Sequence, residues 1–197
     1  SLGSDAIELY EKSGRTAFDW QKFVVDAIMA RNKNGLWVHM NFGYAVPRQN
    51  GKNEIVAIRE LYGLKNGERI LHTAHRTNTS KAAFERLVTI LEASGYENQV
   101  DFTSIKARGN ESIELVDGGR IEFRRRTSTG GLGESFDLLV VDEAQEYTDD
   151  QRSALMYTIA ASPNPQTIYT GTPPTPISSG TVFTKLRENV LFGISED

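Results

Sequence analysis

Four apolar residues, Leu138-Leu139-Val140-Val141, run without interruption into two acids, Asp142-Glu143. Side chains of a strand point alternately to two faces, so an unbroken apolar run fits a strand buried on both. The stretch therefore predicts the central strand of a mainly parallel sheet covered by helices on each side. Acids that end such a strand fall at the C-terminal edge of the sheet, where sheets of this kind bind ligands.

The rest of the chain alternates helices and strands, as that architecture requires. Helical spacing covers Phe18 to Arg31, with Phe23, Ala27 and Ala30 beside Val24 and Ile28 on one side and Asp19 able to cap the start. Leu36 to Phe42 reads as a strand and Gly43 to Gly51 as a loop. Asn53 to Leu64 reads as a helix, Arg69 to Ala74 as a strand. Asn78 to Ser94 is a long helix with Ala82, Leu87, Ile90 and Leu91 inward and Gly95 at its end. Phe102 to Lys106, Ser112 to Val116 and Arg120 to Arg125 read as strands. Asp117-Gly118-Gly119 turns between the last two, giving a β-hairpin insertion near 110–126. Ser128 to Glu134, polar and glycine-rich, reads as a mobile loop. A helix over Asp149 to Ala161, a strand over Gln166 to Thr170, a Pro-rich loop over Gly171 to Pro176 and a helix over Thr181 to Asn189 complete the reading.

One domain accounts for the 197 residues, with 1–17 as an N-terminal extension and 177–197 as a C-terminal helix or linker. The 39% hydrophobic content is enough for a core. The absence of cysteine excludes disulfides, Cys-ligated zinc and Cys nucleophiles. No apolar run approaches the roughly 18 residues of a membrane-spanning helix. A formal charge of −4 means that any contact with nucleic acid is local.

A strand, then a loop containing Gly51-Lys52, then a helix is the context of a phosphate-binding loop. Backbone N–H groups and the helix N-terminus converge on phosphate there, and Lys52 adds a point charge. The general pattern is broken twice. Val46 stands where the first glycine belongs, and Asn53 where a metal-ligating hydroxyl belongs. Taken alone, Gly51-Lys52 fits a surface turn as well. Asp142-Glu143, about 90 residues on, changes the balance. Asp142 would hold Mg²⁺ through its water shell and Glu143 would orient or deprotonate the attacking water, as phosphoryl transfer requires. The amide oxygen of Asn53 can also ligate a hard cation. Thr170-Gly171-Thr172 adds a hydroxyl-rich turn at the same edge. The expected class is an α/β P-loop NTPase of the RecA-like kind.

Together these residues resemble the large terminase subunit of tailed phages, whose motor packs DNA into a procapsid. Val46-Pro47-Arg48-Gln49-Asn50-Gly51-Lys52 is how phosphate loops of that family commonly read, the replaced first glycine included. Asp142-Glu143-Ala144 looks like its second motif and Thr170-Gly171-Thr172 like its coupling motif. The resemblance spans Phe18 to Thr175. It implies ATP as substrate with Mg²⁺, and nucleotide binding by Pro47, Arg48, Gln49, Asn50, Gly51, Lys52 and Asn53. Gln21 would be the adenine-contacting glutamine, and Arg48 would serve the γ-phosphate or coupling. It also implies an arginine acting on a neighbouring subunit's nucleotide, with Arg124, Arg125 and Arg126 as candidates. The implied partners are double-stranded DNA, a portal protein and a small terminase subunit. The implied assembly is a ring on the procapsid, monomeric when isolated, in the host cytoplasm.

The family's second half is a nuclease of the ribonuclease H type. Beyond Asp142 the acids are Glu143, Glu146, Asp149, Asp150, Glu188, Glu196 and Asp197, so no nuclease activity is expected of this chain. His72 and His75 lie near a strand end without a third ligand, and no metal site is expected there. Phe84 and Phe123 read as core. Two other functions fit parts of the pattern. Asp142-Glu143-Ala144-Gln145 is close to the second motif of many helicases, and Asn53 would suit a nucleotide-binding scaffold without turnover.

Overall fold

A computed structural model describes residues 1–129 and 133–193. Two helices, α1 (Leu2–Glu11) and α2 (Asp19–Ile28), precede β1 (Asn41–Ala45). Then follow α3 (Lys52–Lys65), β2 (Arg69–Ala74), α4 (Thr77–Ala93), β3 (Phe102–Ile105), β4 (Glu111–Leu115) and β5 (Arg120–Arg125). The chain continues through β6 (Leu138–Asp142), α5 (Asp149–Leu155), β7 (Gln166–Gly171) and α6 (Val182–Phe192). These strands form one sheet in the order β1-β7-β6-β2-β5-β4-β3. Neighbours from β1 to β5 run parallel, and β4 runs antiparallel to both β5 and β3.

The apolar run does what its composition demands. Every residue of β6 is buried. Leu138 and Val140 join the core that α1, α2, α3 and α4 cover, with Ile70 and Ile168 beside them. Leu139 and Val141 point the other way, into a second core with Leu71, Tyr169, Leu155 and Phe183. Each such side chain removed from water contributes about 1.5–3 kcal/mol. The two cores hold β6 in the middle of the molecule.

Several sequence expectations shift. The first strand begins at Asn41 rather than Leu36. Of the apolar residues before it, Leu36, Val38 and Met40 are exposed, while Trp37 is buried with the Arg31 and Arg59 guanidinium groups over its ring. Burial of one aromatic, together with an Arg31–Trp37 bridge, replaces ladder pairing in this stretch. In α2 the inward stripe is Gln21, Val25 and Ile28, and Phe23 is 76% exposed. A polar residue takes the inward position because its amide finds partners inside. Asp19 is the first helical residue, not the cap, and the Phe18 N–H donates to Gln21 Oε1. In α4, Ala83 and Phe84 face inward and Ala82 does not. α5 ends at Leu155, where a 3₁₀ turn over Met156–Thr158 takes over and the Thr158 carbonyl accepts from Phe136 N–H. Residues 130–132 of the glycine-rich loop and 194–197 of the C-terminal segment lie outside the described residues.

The hairpin turn is glycine for a reason beyond turn type. A Cβ on Gly119 would fall 2.0 Å from the Glu68 carbonyl oxygen. Its N–H donates to the Leu64 carbonyl, which docks the β4–β5 turn on the end of α3.

At the edge of the sheet opposite the acids, Arg59 of α3 is 1% exposed. It donates to both Glu68 carboxylate oxygens and to Gln166 Oε1. Gln166 in turn donates to the carbonyls of Ile28 and His39. One guanidinium thus ties α3 to α2, β2 and β7. We expect Arg59→Ala to lower the unfolding free energy by about 3 kcal/mol or more, since it strands buried polar groups. Denaturant titration checks this; a loss below about 1 kcal/mol would contradict it.

Candidate active site

Strand order builds the site. β7 separates β1 from β6, so the loop after β1, the end of β7 and the acids after β6 reach one edge together. Tyr44 and Asp142 both pair with Thr170 in the ladder. The loop after β1 is exposed from Pro47 to Asn50. Two of its residues have positive φ, Gln49 at 64° and Gly51 at 75°. Gly51 caps α3, so the helix N-terminus and its free N–H groups open on the loop. The Asn50 amide donates to the carbonyls of Pro47 and Arg48.

Gln21 braces this loop from behind. It is 2% exposed, and its amide donates to the Gly51 carbonyl at 2.9 Å while accepting from Phe18 N–H at 2.8 Å. Its hydrogen-bonding groups are engaged inside the chain. The Tyr44 hydroxyl donates to the Lys52 carbonyl, and burial pushes its phenol well above the ordinary tyrosine range.

Lys52 Nζ lies 2.9 Å from Asn53 Oδ1 and 3.5 Å from Asp142 Oδ1. A cation therefore already stands between the two oxygen groups proposed for Mg²⁺, and both are the hard donors that ion prefers. The residues fit such an ion, although the described residues hold no cluster of three or more metal-ligating acids or histidines.

Behind Asp142 lies a residue that sequence reasoning set aside. His72 of β2 is 2% exposed. Its Nδ1 is hydrogen-bonded to Glu60 Oε1 of α3, and its Nε2 lies 3.6 Å from Asp142 Oδ2. Burial pushes the imidazole pKa down, but the Glu60 charge and hydrogen bond and the facing Asp142 carboxylate outweigh it and raise the pKa to about 9. Burial likewise pushes Asp142 up. The facing His72 ring, the Lys52 charge and the Glu143 N–H outweigh it and hold the carboxyl at about 2. A sequence signal existed: Glu60 lies within Ile55 to Leu64, a mostly apolar helical stretch, where an acid demands a partner.

Glu143 adopts φ 53°, rare for a residue with a side chain. Its carboxylate accepts from Arg76 N–H and from the Thr79 hydroxyl, both at 3.0 Å. Its carbonyl accepts from Arg126, whose guanidinium also reaches the carbonyls of Thr73 and Asp142. Arg126 is 4% exposed and points into its own chain. Arg124 is paired with Glu122 and Glu134. Arg125 is exposed, with its Nε donating to the His75 carbonyl.

Thr170 is buried, and its hydroxyl has no hydrogen-bond partner among the described residues. The Gly171 carbonyl accepts from Val46 N–H at the start of the loop, and Thr172 N–H donates to Gln145 Oε1 after the acid pair. Arg48, His75, Arg76, Gln145, Glu146 and Thr172 line an open cleft of about 530 Å³ beside these groups.

The mostly parallel seven-stranded sheet flanked by helices, with the loop after β1 and the acid pair at one edge, is the RecA-like P-loop fold. Within that class the chain has the fold of phage large-terminase ATPase domains. It superposes on the HK97 bacteriophage large terminase with a TM-score of 0.77 at 16% identity, over 98% of this chain and 42% of that one. The Thermus phage P74-26 large terminase ATPase domain matches with a TM-score of 0.60 at 14% identity, over 94% and 89% of the two chains. The large terminase of a thermophilic bacteriophage, solved in complex with ATP-gamma-S, matches with a TM-score of 0.51 at 10% identity, over 84% and 37%. The chain thus spans less than half the HK97 protein. No protein-family profile and no curated protein sequence matches it.

The two shifted groups set a pH window. The folded pKa of His72 is raised above 6.5, so its contribution is full below pH 6.5 and is lost as pH rises through about 9. Asp142 is depressed below 3.8, so its contribution is present above pH 3.8 and lost as pH falls through about 2. The thermal midpoint should therefore fall between pH 6.5 and about 9. The fall should be smaller in a His72→Gln/Glu60→Gln double variant, which lacks the titrating ring. Melts followed by circular dichroism across that range check this; equal slopes would contradict it.

Proposed function

We propose that this chain is the ATPase domain of a large terminase subunit, which hydrolyses ATP and couples it to translocation of double-stranded DNA. One observation carries the reading: Lys52, Asn53 and Asp142 meet at one point, at the mouth of a loop whose helix N-terminus is open. In this reading Lys52 moves onto the β- and γ-phosphates, and Asn53 and Asp142 keep oxygens free for the ion. Mg²⁺ bound with the nucleotide supplies charge neutralisation between phosphate oxygens. Pro47, Gln49, Asn50 and Gly51 form the loop that wraps the phosphates, with the backbone N–H groups of Gln49, Asn50 and Gly51 as donors, and Arg48 reaches in from the open cleft. Glu143 orients the attacking water once its carboxylate turns from Arg76 and Thr79. Gln21 acts by bracing Gly51, which departs from the adenine contact that the resemblance implies.

Thr170-Gly171-Thr172 touches both the loop start at Val46 and Gln145, two residues past the acid pair, which supports its coupling role. Of the three arginine candidates, Arg125 is the exposed one and is the best placed to reach a neighbouring subunit. The rest of the reading follows the terminase likeness: a ring of copies on a procapsid in the host cytoplasm, with a portal protein and a small subunit as partners.

The test uses the 197-residue chain with Mg·ATP. Glu143→Gln should bind nucleotide as the parent does but turn over at least about 100-fold more slowly. Lys52→Ala should lose about tenfold or more in nucleotide affinity. Phosphate release and calorimetry separate the two. Undiminished turnover by Glu143→Gln would overturn the catalytic assignment, and tight binding without any turnover by the assembled parent would favour a scaffold.

A further inference from the structure

Helix α3 grips the carboxylate of Asp142 from two sides. At its first residue, Lys52 Nζ lies 3.5 Å from Oδ1, which also accepts the Glu143 N–H at 2.8 Å. About two turns further on, Glu60 holds His72 by Nδ1, and His72 Nε2 faces Oδ2 at 3.6 Å. His72, Glu60 and Asp142 are each at least 96% buried at their side chains. His72 Nε2 has no hydrogen-bond partner among the described residues, and it faces Oδ2. The Phe123 ring, 5.2 Å from the imidazole, closes another side.

We propose that His72, oriented by Glu60, is a positioning residue for Asp142: it holds Oδ2 and so leaves Oδ1 turned toward the metal and phosphate loop. This rests on the ATPase reading, since it assigns Asp142 to the ion. Outer partners of a metal-binding carboxylate fix which oxygen and which lone pairs face the ion, and their loss costs about 10- to 100-fold in metal affinity. Lys52 cannot do this alone, because the same ammonium is required by the phosphates. When it leaves Oδ1, the grip through His72 is the contact that still ties Asp142 to α3. The helix that carries the phosphate loop and the strand that carries the metal ligand thereby keep their spacing.

A buried His–Glu pair could instead serve only to fill the core. Two substitutions separate these roles, because each keeps one end of the imidazole. The amide of Gln reaches the position of Nε2 and can still donate to Asp142. The shorter amide of Asn reaches only the position of Nδ1 and faces Glu60. Binding of manganese with ADP, read from the free Mn²⁺ signal in electron paramagnetic resonance, gives metal affinity without turnover. Thermal melts give stability.

We expect His72→Asn to melt closer to the parent yet bind manganese about tenfold more weakly. His72→Gln combined with Glu60→Gln, which removes the unpaired acid, should bind within about threefold of the parent. ADP affinity without metal should be unchanged in both. Manganese affinity that follows stability, or that equals the parent's in folded His72→Asn, would overturn the positioning role while leaving the ATPase reading intact. A parent chain that fails to bind manganese with ADP would overturn the ATPase reading itself, and this inference with it.

Discussion

Asp142 is a carboxylate placed where water barely reaches, and burial alone would drive it to the neutral form. It stays ionised because two cations, Lys52 and the protonated His72, face its two oxygens. Neither is an independent addition. Lys52 begins α3, and His72 is held by Glu60 of the same helix. Removing a partner from such an arrangement leaves an uncompensated buried charge, which costs several kcal/mol. The strand and the helix are therefore bound to each other by charge as well as by the apolar contacts of Ile55, Ile58 and Leu61. The site cannot be separated from the fold.

The same economy governs the backbone at the sheet edge. Arg126 sends one guanidinium to the carbonyls of Thr73, Asp142 and Glu143. Those carbonyls lie near the C-terminal ends of β2 and β6, where buried acceptors need partners. Its face lies over the Tyr147 ring, 5.3 Å from the centroid, so the charge is partly compensated where water is excluded. Burial still lowers its pKa to about 10, with the charges of Tyr147, Asp142 and Glu143 opposing the shift. An arginine that looks like one of three equivalent basic residues in the sequence is in fact the clamp that fixes the turn at Glu143.

The parts of this structure that sequence exposes are those where one residue type has one physical use. Leu138 to Val141 fits a strand buried on both faces, and Gly51 allows the left-handed turn that starts α3. The sheet, its helices and the placing of Lys52, Asp142 and Glu143 at one edge follow from such signals. What the sequence hides are polar residues whose partners lie far along the chain. Gln21 reads as an adenine contact or an exposed helix residue, but its partner, Gly51, is 30 residues away. His72 meets Asp142 only because β2 and β6 are neighbours. The early start predicted for β1 has the same origin. Leu36, Val38 and Met40 look like strand residues until Trp37 is seen to lie under Arg59, whose position depends on Glu68 and Gln166.

Glu143 shows how the two levels combine. Its positive φ is a strained choice for a residue with a Cβ and persists only if the surroundings hold it. They do so from both ends. Arg126 fixes its carbonyl, while the first turn of α4 takes its carboxylate through Arg76 N–H and the Thr79 hydroxyl. The helix N-terminus favours that negative charge, because unpaired N–H groups and the helix dipole meet there. The acid pair thus lies between two helix N-termini. Asp142 faces the one that opens on the loop after β1, and Glu143 is turned to the other. The turn that divides the two acids is set by the backbone conformation of one residue, so neighbouring carboxylates are given different surroundings by geometry, with no need of a second strand.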